Sequence, residues 1–303
     1  MKNAFFLIIS LFALALLSTL FSSQVSAQEV GVGIYVLNLG KFDISTGTFT
    51  ADFYLDFKCS EDCSQVNFEF MNGRAASMDK IIDEKDEVFY RVQANLNNPV
   101  DLKRFPFDRQ KMQIIIEDKT TTVEDLIYIP LQNESGLDNS IFFTGWHLDG
   151  WTAEVKEHEY PVYGETYSQY IFTINISKVL FNSFLKTILP VIFITLIVLS
   201  SFVLDPDKIT TRLGMVGSAL VASVMFHISI ANSLPPLGYM TFADKFMILT
   251  YFILLASFVI NIFMLEMLEQ KKDTLVEKIH RRTEFSMFII VPVLYALAFL
   301  LFL

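Results

Sequence analysis

The chain has 303 residues, of which 52% are hydrophobic, yet its formal net charge is −10. That length allows roughly two domains of about 150 residues each, and so much apolar surface beside so many carboxylates fits an acidic soluble part joined to an apolar part. The acidic balance argues against nucleic acid as a partner.

Residues 1–27 read as a secretory signal peptide. Lys2 supplies the positive start, Ala4 to Phe21 is apolar, and Val25-Ser26-Ala27 places small residues before a cleavage point. Cleavage after Ala27 makes Gln28 the mature start; an uncleaved anchor is the alternative, because the apolar run is long for a signal.

Residues 28–180 predict an antiparallel β domain. The clearest strand is Thr48 to Lys58, where Phe49, Ala51, Phe53, Leu55 and Phe57 alternate with Thr50, Asp52, Tyr54, Asp56 and Lys58. A period of two gives one buried and one solvated face. Gly31 to Phe42 reads as the preceding strand, joined through Ser45-Thr46-Gly47. Glu87 to Leu96, Gln110 to Glu117, His147 to Lys156 and Tyr167 to Ser177 are further strands, and several short strands separated by polar turns predict a sandwich.

The chain has two cysteines, Cys59 and Cys63. Along a straight strand their Cα atoms would stand about 13 Å apart, too far to bridge. A turn at Ser60-Glu61-Asp62 would allow a disulfide in the oxidising exterior; two free buried thiols are the alternative. Two thiolates without neighbouring histidines make a poor zinc site, and neither a metal centre nor a cofactor is expected.

The composition changes sharply at Phe181. Four apolar stretches follow, at about residues 184–204, 212–234, 243–268 and 285–303, each long enough to cross a bilayer. Lys271, Lys272, Lys278, Arg281 and Arg282 lie between the third and fourth, and Lys208 and Arg212 near the first connection. The loop Pro235 to Thr241 and the C-terminus carry neither Lys nor Arg. The positive-inside rule therefore places the first and third connections in the cytoplasm and both the N-terminal domain and the C-terminus outside an inner or plasma membrane.

The second stretch differs from the others. Gly214, Gly217, Ser218, Ala219, Ala222 and Ser223 are followed by His227, Ser229, Asn232 and Ser233. Small residues permit close helix packing, and polar groups at membrane depth face protein or water. On a helical wheel Gly214, Ser218, Val221, Met225, Ile228 and Asn232 form one stripe. Several copies around an axis would enclose a pore with a wet inner end and an apolar constriction at Val221, Met225 and Ile228. An ordinary buried helix packed by its small residues is the other reading.

Phe105-Pro106-Phe107-Asp108-Arg109-Gln110, with Asp101-Leu102 before it and four spans after it, resembles the pentameric ligand-gated ion channel (Cys-loop receptor) family, and its prokaryotic members in particular. Trp146, Pro190 within the first span, Leu234-Pro235 ending the second, and Gly238-Tyr239-Met240-Thr241 before the third fit as well. The resemblance implies an all-β, immunoglobulin-like extracellular sandwich followed by a four-helix transmembrane bundle, assembled as a homopentamer in contact with membrane lipids. Phe105, Pro106, Phe107 and Asp108 would meet the loop carrying Pro236 and Tyr239 and pass on the ligand signal. Lys178 falls on the family's basic position of the last strand, and an Asp108–Lys178 pair is expected there. Arg212 fits the basic position at the inner end of the pore helix, a register that selects the same stripe as the wheel.

The stretch between Cys59 and Phe105 is shorter than the family pattern, and it omits the part that usually supplies an agonist aromatic. Tyr160, Tyr163 and Tyr167, with Glu157 and Glu159, are the ligand-binding candidates; as strand residues they fit packing equally well. Protons or divalent cations are alternatives to an organic ligand; Asp83, Glu84, Asp86 and Glu87 make an acidic cluster, which reads equally as a solvated turn. His227 reads either as a packing residue or as a proton sensor. Asp205 and Asp207 near the inner mouth favour permeating cations. A non-conducting receptor of the same fold is the competing function. An exported membrane enzyme is disfavoured, because no nucleophile–base pair, HExxH motif or phosphate loop is present.

Overall fold

The structure is a computed structural model that describes residues 27–60 and 62–302. Except for Ala27, the expected signal peptide lies outside the described residues.

Among the described residues ten strands come first: β1 (Gln28–Leu39), β2 (Thr48–Cys59), β3 (Phe68–Phe70), β4 (Gly73–Asp83), β5 (Glu87–Asn97), β6 (Arg109–Asp118), β7 (Leu126–Pro130), β8 (Gly136–Leu137), β9 (Trp146–Tyr160) and β10 (Glu165–Lys178). They form two sheets. One runs β4-β5-β2-β1-β7, with β8 beside β1, and the other runs β3-β6-β10-β9. The alternation in β2 places Phe49, Ala51, Phe53, Leu55 and Phe57 in the core, opposite Val30, Val32, Ile34 and Val36 of β1. Met112, Ile114 and Ile116 of β6 and Tyr170, Phe172, Ile174 and Ile176 of β10 close the core from the second sheet. Each such Val, Leu, Ile or Phe contributes roughly 1.5–3 kcal/mol by leaving water.

The sequence pattern misses β4, whose residues Gly73–Asp83 pair with β5 yet stay mostly exposed. A strand that buries neither face shows no period of two. Cys59 ends β2 and is joined by a disulfide to Cys63, where a single 3₁₀ turn begins; their Cα atoms are 5.4 Å apart. Asp62 holds this turn by accepting the Ser64 N–H at 2.8 Å.

Four helices follow, each long and apolar enough to cross a membrane: α1 (Leu180–Ser201), α2 (Ile209–Asn232), α3 (Phe242–Glu269) and α4 (Asp273–Phe302). A π turn at Phe184–Ile188 interrupts α1 just before Pro190. Proline has no N–H to offer the carbonyl four residues back, and a wider turn accommodates the gap. Tyr295 of α4 meets Thr195 of α1 at 2.8 Å and Thr250 of α3 at 3.0 Å. Such hydroxyl contacts join helices where hydrophobicity alone favours no partner.

Helix α4 begins at Asp273, a correction to the expected start near residue 285. The basic stretch with Lys278, Arg281 and Arg282 is helical and continuous with the span. Hydropathy marks only the apolar part of a helix, whereas helical hydrogen bonding continues through charged residues of good propensity.

Phe57 packs against Phe68 at 4.9 Å between ring centroids and near Tyr128 and Tyr90 at 6.2 and 6.5 Å, between the two sheets. Phe57→Ala is expected to destabilise the sandwich by about 3–5 kcal/mol, read as a lower thermal midpoint of the full-length protein in detergent.

Candidate functional site

Helix α2 has two unlike faces. Ile209, Arg212, Val216, Ala219, Ser223 and Ile230 are buried against the other helices. Gly214, Ser218, Val221, Met225, Ile228 and Asn232 are all exposed in the protomer, Val221 and Met225 at 64% and 63%. At 3.6 residues per turn the centres of these two sets lie roughly 180° apart, so the stripe chosen from the wheel points directly away from its own bundle. Packing one protomer thus leaves an apolar ridge, small and hydroxylic at its inner end, without intramolecular cover.

Arg212 lies on the buried face. Its Nε donates to the Ser201 carbonyl at 2.9 Å, its second guanidinium nitrogen stands 3.4 Å from His280 Nδ1, and its Cζ is 5.1 Å from the Phe202 ring centroid. It therefore fixes the inner end of α2 to the end of α1 and to α4, away from the stripe.

The outer end of the bundle meets the sandwich at the segment Asp101–Asp108. Thr241 caps α3 in a reciprocal box with Asp244, which accepts the Thr241 N–H at 2.8 Å. The next amides belong to the first turn of α3 and have no partner within it. Phe242 N–H donates to the Lys103 carbonyl at 2.8 Å and Ala243 N–H to the Phe105 carbonyl at 3.1 Å. The Leu102 N–H donates to the Tyr239 hydroxyl at 3.0 Å. Phe107 packs on Phe242 at 5.8 Å and Phe299 at 6.2 Å, and Pro106 is buried. Asn232 to Pro235 share a cleft with Lys41 to Ser45 of the β1–β2 turn, whereas Pro236 is exposed.

The same capping carboxylate reaches α2. Asp244 Oδ1 is 3.0 Å from His227 Nε2, and His227 Nδ1 is 2.9 Å from the Tyr251 hydroxyl. His227 is thus a bridge between α2 and α3, set one hydrogen bond away from the Asp101–Asp108 loop contacts.

The expected Asp108–Lys178 ion pair does not form. The Lys178 ammonium lies 3.8 Å over the Trp146 ring, while Asp108 accepts from Gln110 Nε2 at 3.1 Å. The two residues meet through the backbone, where Lys178 N–H donates to the Asp108 carbonyl at 3.2 Å. Lys178 faces Trp146 across the β9–β10 ladder, and the ring offers the ammonium a partner on its own sheet. Burial pushes the Asp108 carboxyl above its usual range and pulls the Lys178 ammonium below its own.

At the β9–β10 tip, Tyr160 and Tyr167 stand edge to face at 5.6 Å, and Tyr163 projects from the turn at 74% exposure. Glu157 and Glu159 are exposed on the opposite strand face from His158 and Tyr160, so the structure does not bring them to the tyrosines. Their place is taken by Glu117, which sequence reasoning missed. This buried carboxylate accepts from Tyr160 Oη at 2.9 Å and Gln169 Nε2 at 3.0 Å, and lies 2.8 Å from His158 Nδ1. Burial and the Glu117 bond push the Tyr160 hydroxyl up to about 12. Among the described residues, no group of three or more His, Cys, Asp or Glu side chains is placed to hold a metal ion. The turn between β4 and β5 disperses its carboxylates, Asp83 to Lys80 at 2.9 Å and Glu87 towards Lys58 at 3.9 Å.

No family model matches the chain. Among curated proteins it is 26% identical over 161 residues to a proton-gated ion channel of Gloeobacter violaceus, covering 53% of this chain and 44% of that one. It is also 26% identical over 174 residues to the pH-sensitive chloride channel 2 of Drosophila melanogaster, covering 54% of this chain and 33% of that one. The matched stretch thus spans less than half the length of either relative. The four spans make the chain a multi-pass membrane protein with its N-terminal domain on the outer side. A two-sheet sandwich followed by four spanning helices accompanies both likenesses, and along about half of its length the chain is related to these gated ion channels.

Proposed function

We propose that this chain is the subunit of a homopentameric channel whose pore is lined by α2 and whose opening is controlled by the outer β domain. The observation that carries this reading is the α2 stripe. Gly214, Ser218, Val221, Met225, Ile228 and Asn232 face away from every helix of their own protomer. Their polarity changes in order along the axis, as a conduit needs and a lipid-facing surface does not. Val221, Met225 and Ile228 form the constriction that closes the conduit by excluding water. The contacts of Lys103 and Phe105 with the start of α3, extended through Asp244 to His227, supply a route from the sandwich to the pore helix.

Protons are the proposed stimulus. Both relatives are named for a response to protons or pH. We assign cations as the permeating species, because Asp205 and Asp207 are exposed near the inner end of α2 while Arg212 is withdrawn into the bundle. The chloride channel among the relatives makes the anion reading the specific alternative. A non-conducting receptor of the same fold is disfavoured by the short α3–α4 connection, which leaves little for a cytoplasmic partner to grip.

Reconstitution in a planar bilayer with steps in external pH tests the proposal. Acidification is expected to open a current whose reversal potential follows the cation gradient; a reversal potential that follows chloride overturns the selectivity. Val221→Ser is expected to raise the current at resting pH several-fold, because a hydroxyl in the constriction favours water. Silence of both the wild type and this variant, despite pentameric assembly, would favour the receptor.

Tyr239→Phe removes the acceptor of the Leu102 N–H without changing the ring. Its expected cost is about 0.5–1.5 kcal/mol of coupling, read as a several-fold change in the proton concentration for half-activation with single-channel conductance unchanged. A change in conductance alone would place Tyr239 in the permeation path.

A further inference from the structure

Strand β1 carries glycine at two outward-facing positions, Gly31 and Gly33, on either side of the buried Val32. Their cross-strand partners on β2 are Lys58 and Asp56. The chain segment Leu131–Ser135 lies over this bare stretch. A Cβ at Gly31 would stand 2.8 Å from the Leu131 side chain, and one at Gly33 would stand 3.3 Å from the Glu134 Cβ and 3.6 Å from the Asp56 Cβ. The two glycines therefore form the floor of a trough that admits the turn. Leu131 N–H donates to the Val32 carbonyl at 2.9 Å, and Ile34 N–H to the Ser135 hydroxyl at 3.2 Å. Gln132 Nε2 donates to the Ala153 carbonyl of β9 at 3.1 Å, so the turn also ties one sheet to the other.

Two carboxyls meet in this trough. Asp56 is only 5% exposed, and its Oδ1 is buried without a hydrogen-bond partner. The Glu134 carboxyl shares the Lys58 ammonium with it, and both side chains flank the Gly33 backbone. Between two carboxylates there are only acceptors, and a hydrogen bond requires one proton. Lys58 is the cation present, 2.6 Å from Glu134, 3.7 Å from Asp56 and 3.9 Å from Glu87. One ammonium among three carboxylates leaves a net charge of −2 if all are ionised. The other polar neighbours are engaged elsewhere: Arg91 of β5 is held by Asp52 at 3.0 Å, and the Tyr35 hydroxyl of β1 donates to Asp138 at 3.3 Å. From β5 the residue directly opposite Asp56 is Phe89, which supplies no charge.

We propose that Asp56 and Glu134 bind one proton between them, and that this proton fastens the Leu131–Ser135 turn onto the outer face of the sandwich. Burial, reinforced by the Glu134 hydrogen bond, pushes the Asp56 carboxyl up to about 7, while the bonds from Asp56 and Lys58 hold Glu134 below its usual range. The proton belongs to the pair. The folded site holds it more tightly than the unfolded chain, where an aspartate titrates near 3.8. The stability it contributes is fully present below about pH 4 and is lost as the pH rises through about 7. At alkaline pH the two carboxylates repel and the turn loosens from β1. The proposal deepens the channel reading by giving the proton a site, and it rests on that reading only for its effect on current.

The test uses the full-length protein reconstituted in lipid, with pH-difference infrared spectra reporting the protonated carboxyl directly. The wild type is expected to show a carboxylic-acid carbonyl band with a midpoint near neutral pH, and Asp56→Asn to abolish it. Glu134→Gln removes the repelling charge and is expected to lower the midpoint by about one pH unit or more. Lys58→Met removes the attracting cation and is expected to raise it. These opposite shifts decide the matter even if Asp56→Asn fails to fold. A band unchanged in folded Asp56→Asn, or the same shift in both charge variants, overturns the site. Parallel recordings separate the two proposals: an intact titration without current supports the site and counts against the channel, whereas a current whose pH dependence ignores all three variants removes the site from gating.

Discussion

A helix leaves its first amide hydrogens without intrahelical acceptors, and at α3 that requirement is met from another domain. Thr241 and Asp244 satisfy each other, and the Lys103 and Phe105 carbonyls take the amides of Phe242 and Ala243. Phe242 and Ala243 are buried, so an unpaired amide there would bear its full desolvation penalty. The loop between β5 and β6 is therefore part of the cap of a membrane helix. A displacement of that loop would uncover amides or carry the helix with it. Asp244 extends the same constraint sideways, through His227, to the helix with the exposed stripe.

That stripe gives α2 its meaning. The buried face is fixed firmly, with Arg212 reaching both the Ser201 carbonyl and His280, so the helix has little freedom to rotate about its axis. The opposite face follows from this orientation. Val221, Met225 and Ile228 are apolar enough for lipid, but Gly214, Ser218 and Asn232 on the same line are not. In the proposed arrangement of identical subunits around an axis, each polar level would meet its own copies and water.

In the outer domain the alternation of β2 specifies one core-facing set and one outward set, yet the outward set is not simply solvated. Asp56 stands at an outward position and is still buried, because Gly31 and Gly33 let the Leu131–Ser135 segment close over it. Glu117 is similarly enclosed by His158, Tyr160 and Gln169 at the far end of β9 and β10. Both are carboxylates on strands whose pattern predicts ordinary surface or edge positions. In each case the covering residues come from more than 40 positions away in sequence, and strand periodicity carries no information about them.

Local physics written in the chain was sufficient for the main plan. Alternation over two residues marks β2, length and hydropathy mark four spans, and the spacing of Gly214 to Asn232 marks one helix face, because each depends only on neighbours along a strand or helix. The Phe105–Asp108 motif likewise pointed to the junction. Features with no internal period were not legible: the exposed strand β4, the early start of α4 at Asp273, and the partners of single side chains. Lys178 and Asp108 have opposite charges at adjacent backbone positions, but Trp146 and Gln110 are the partners each side chain reaches. Tertiary structure alone decided which carboxylates lost their water, since burial depends on what folds over a residue from elsewhere in the chain.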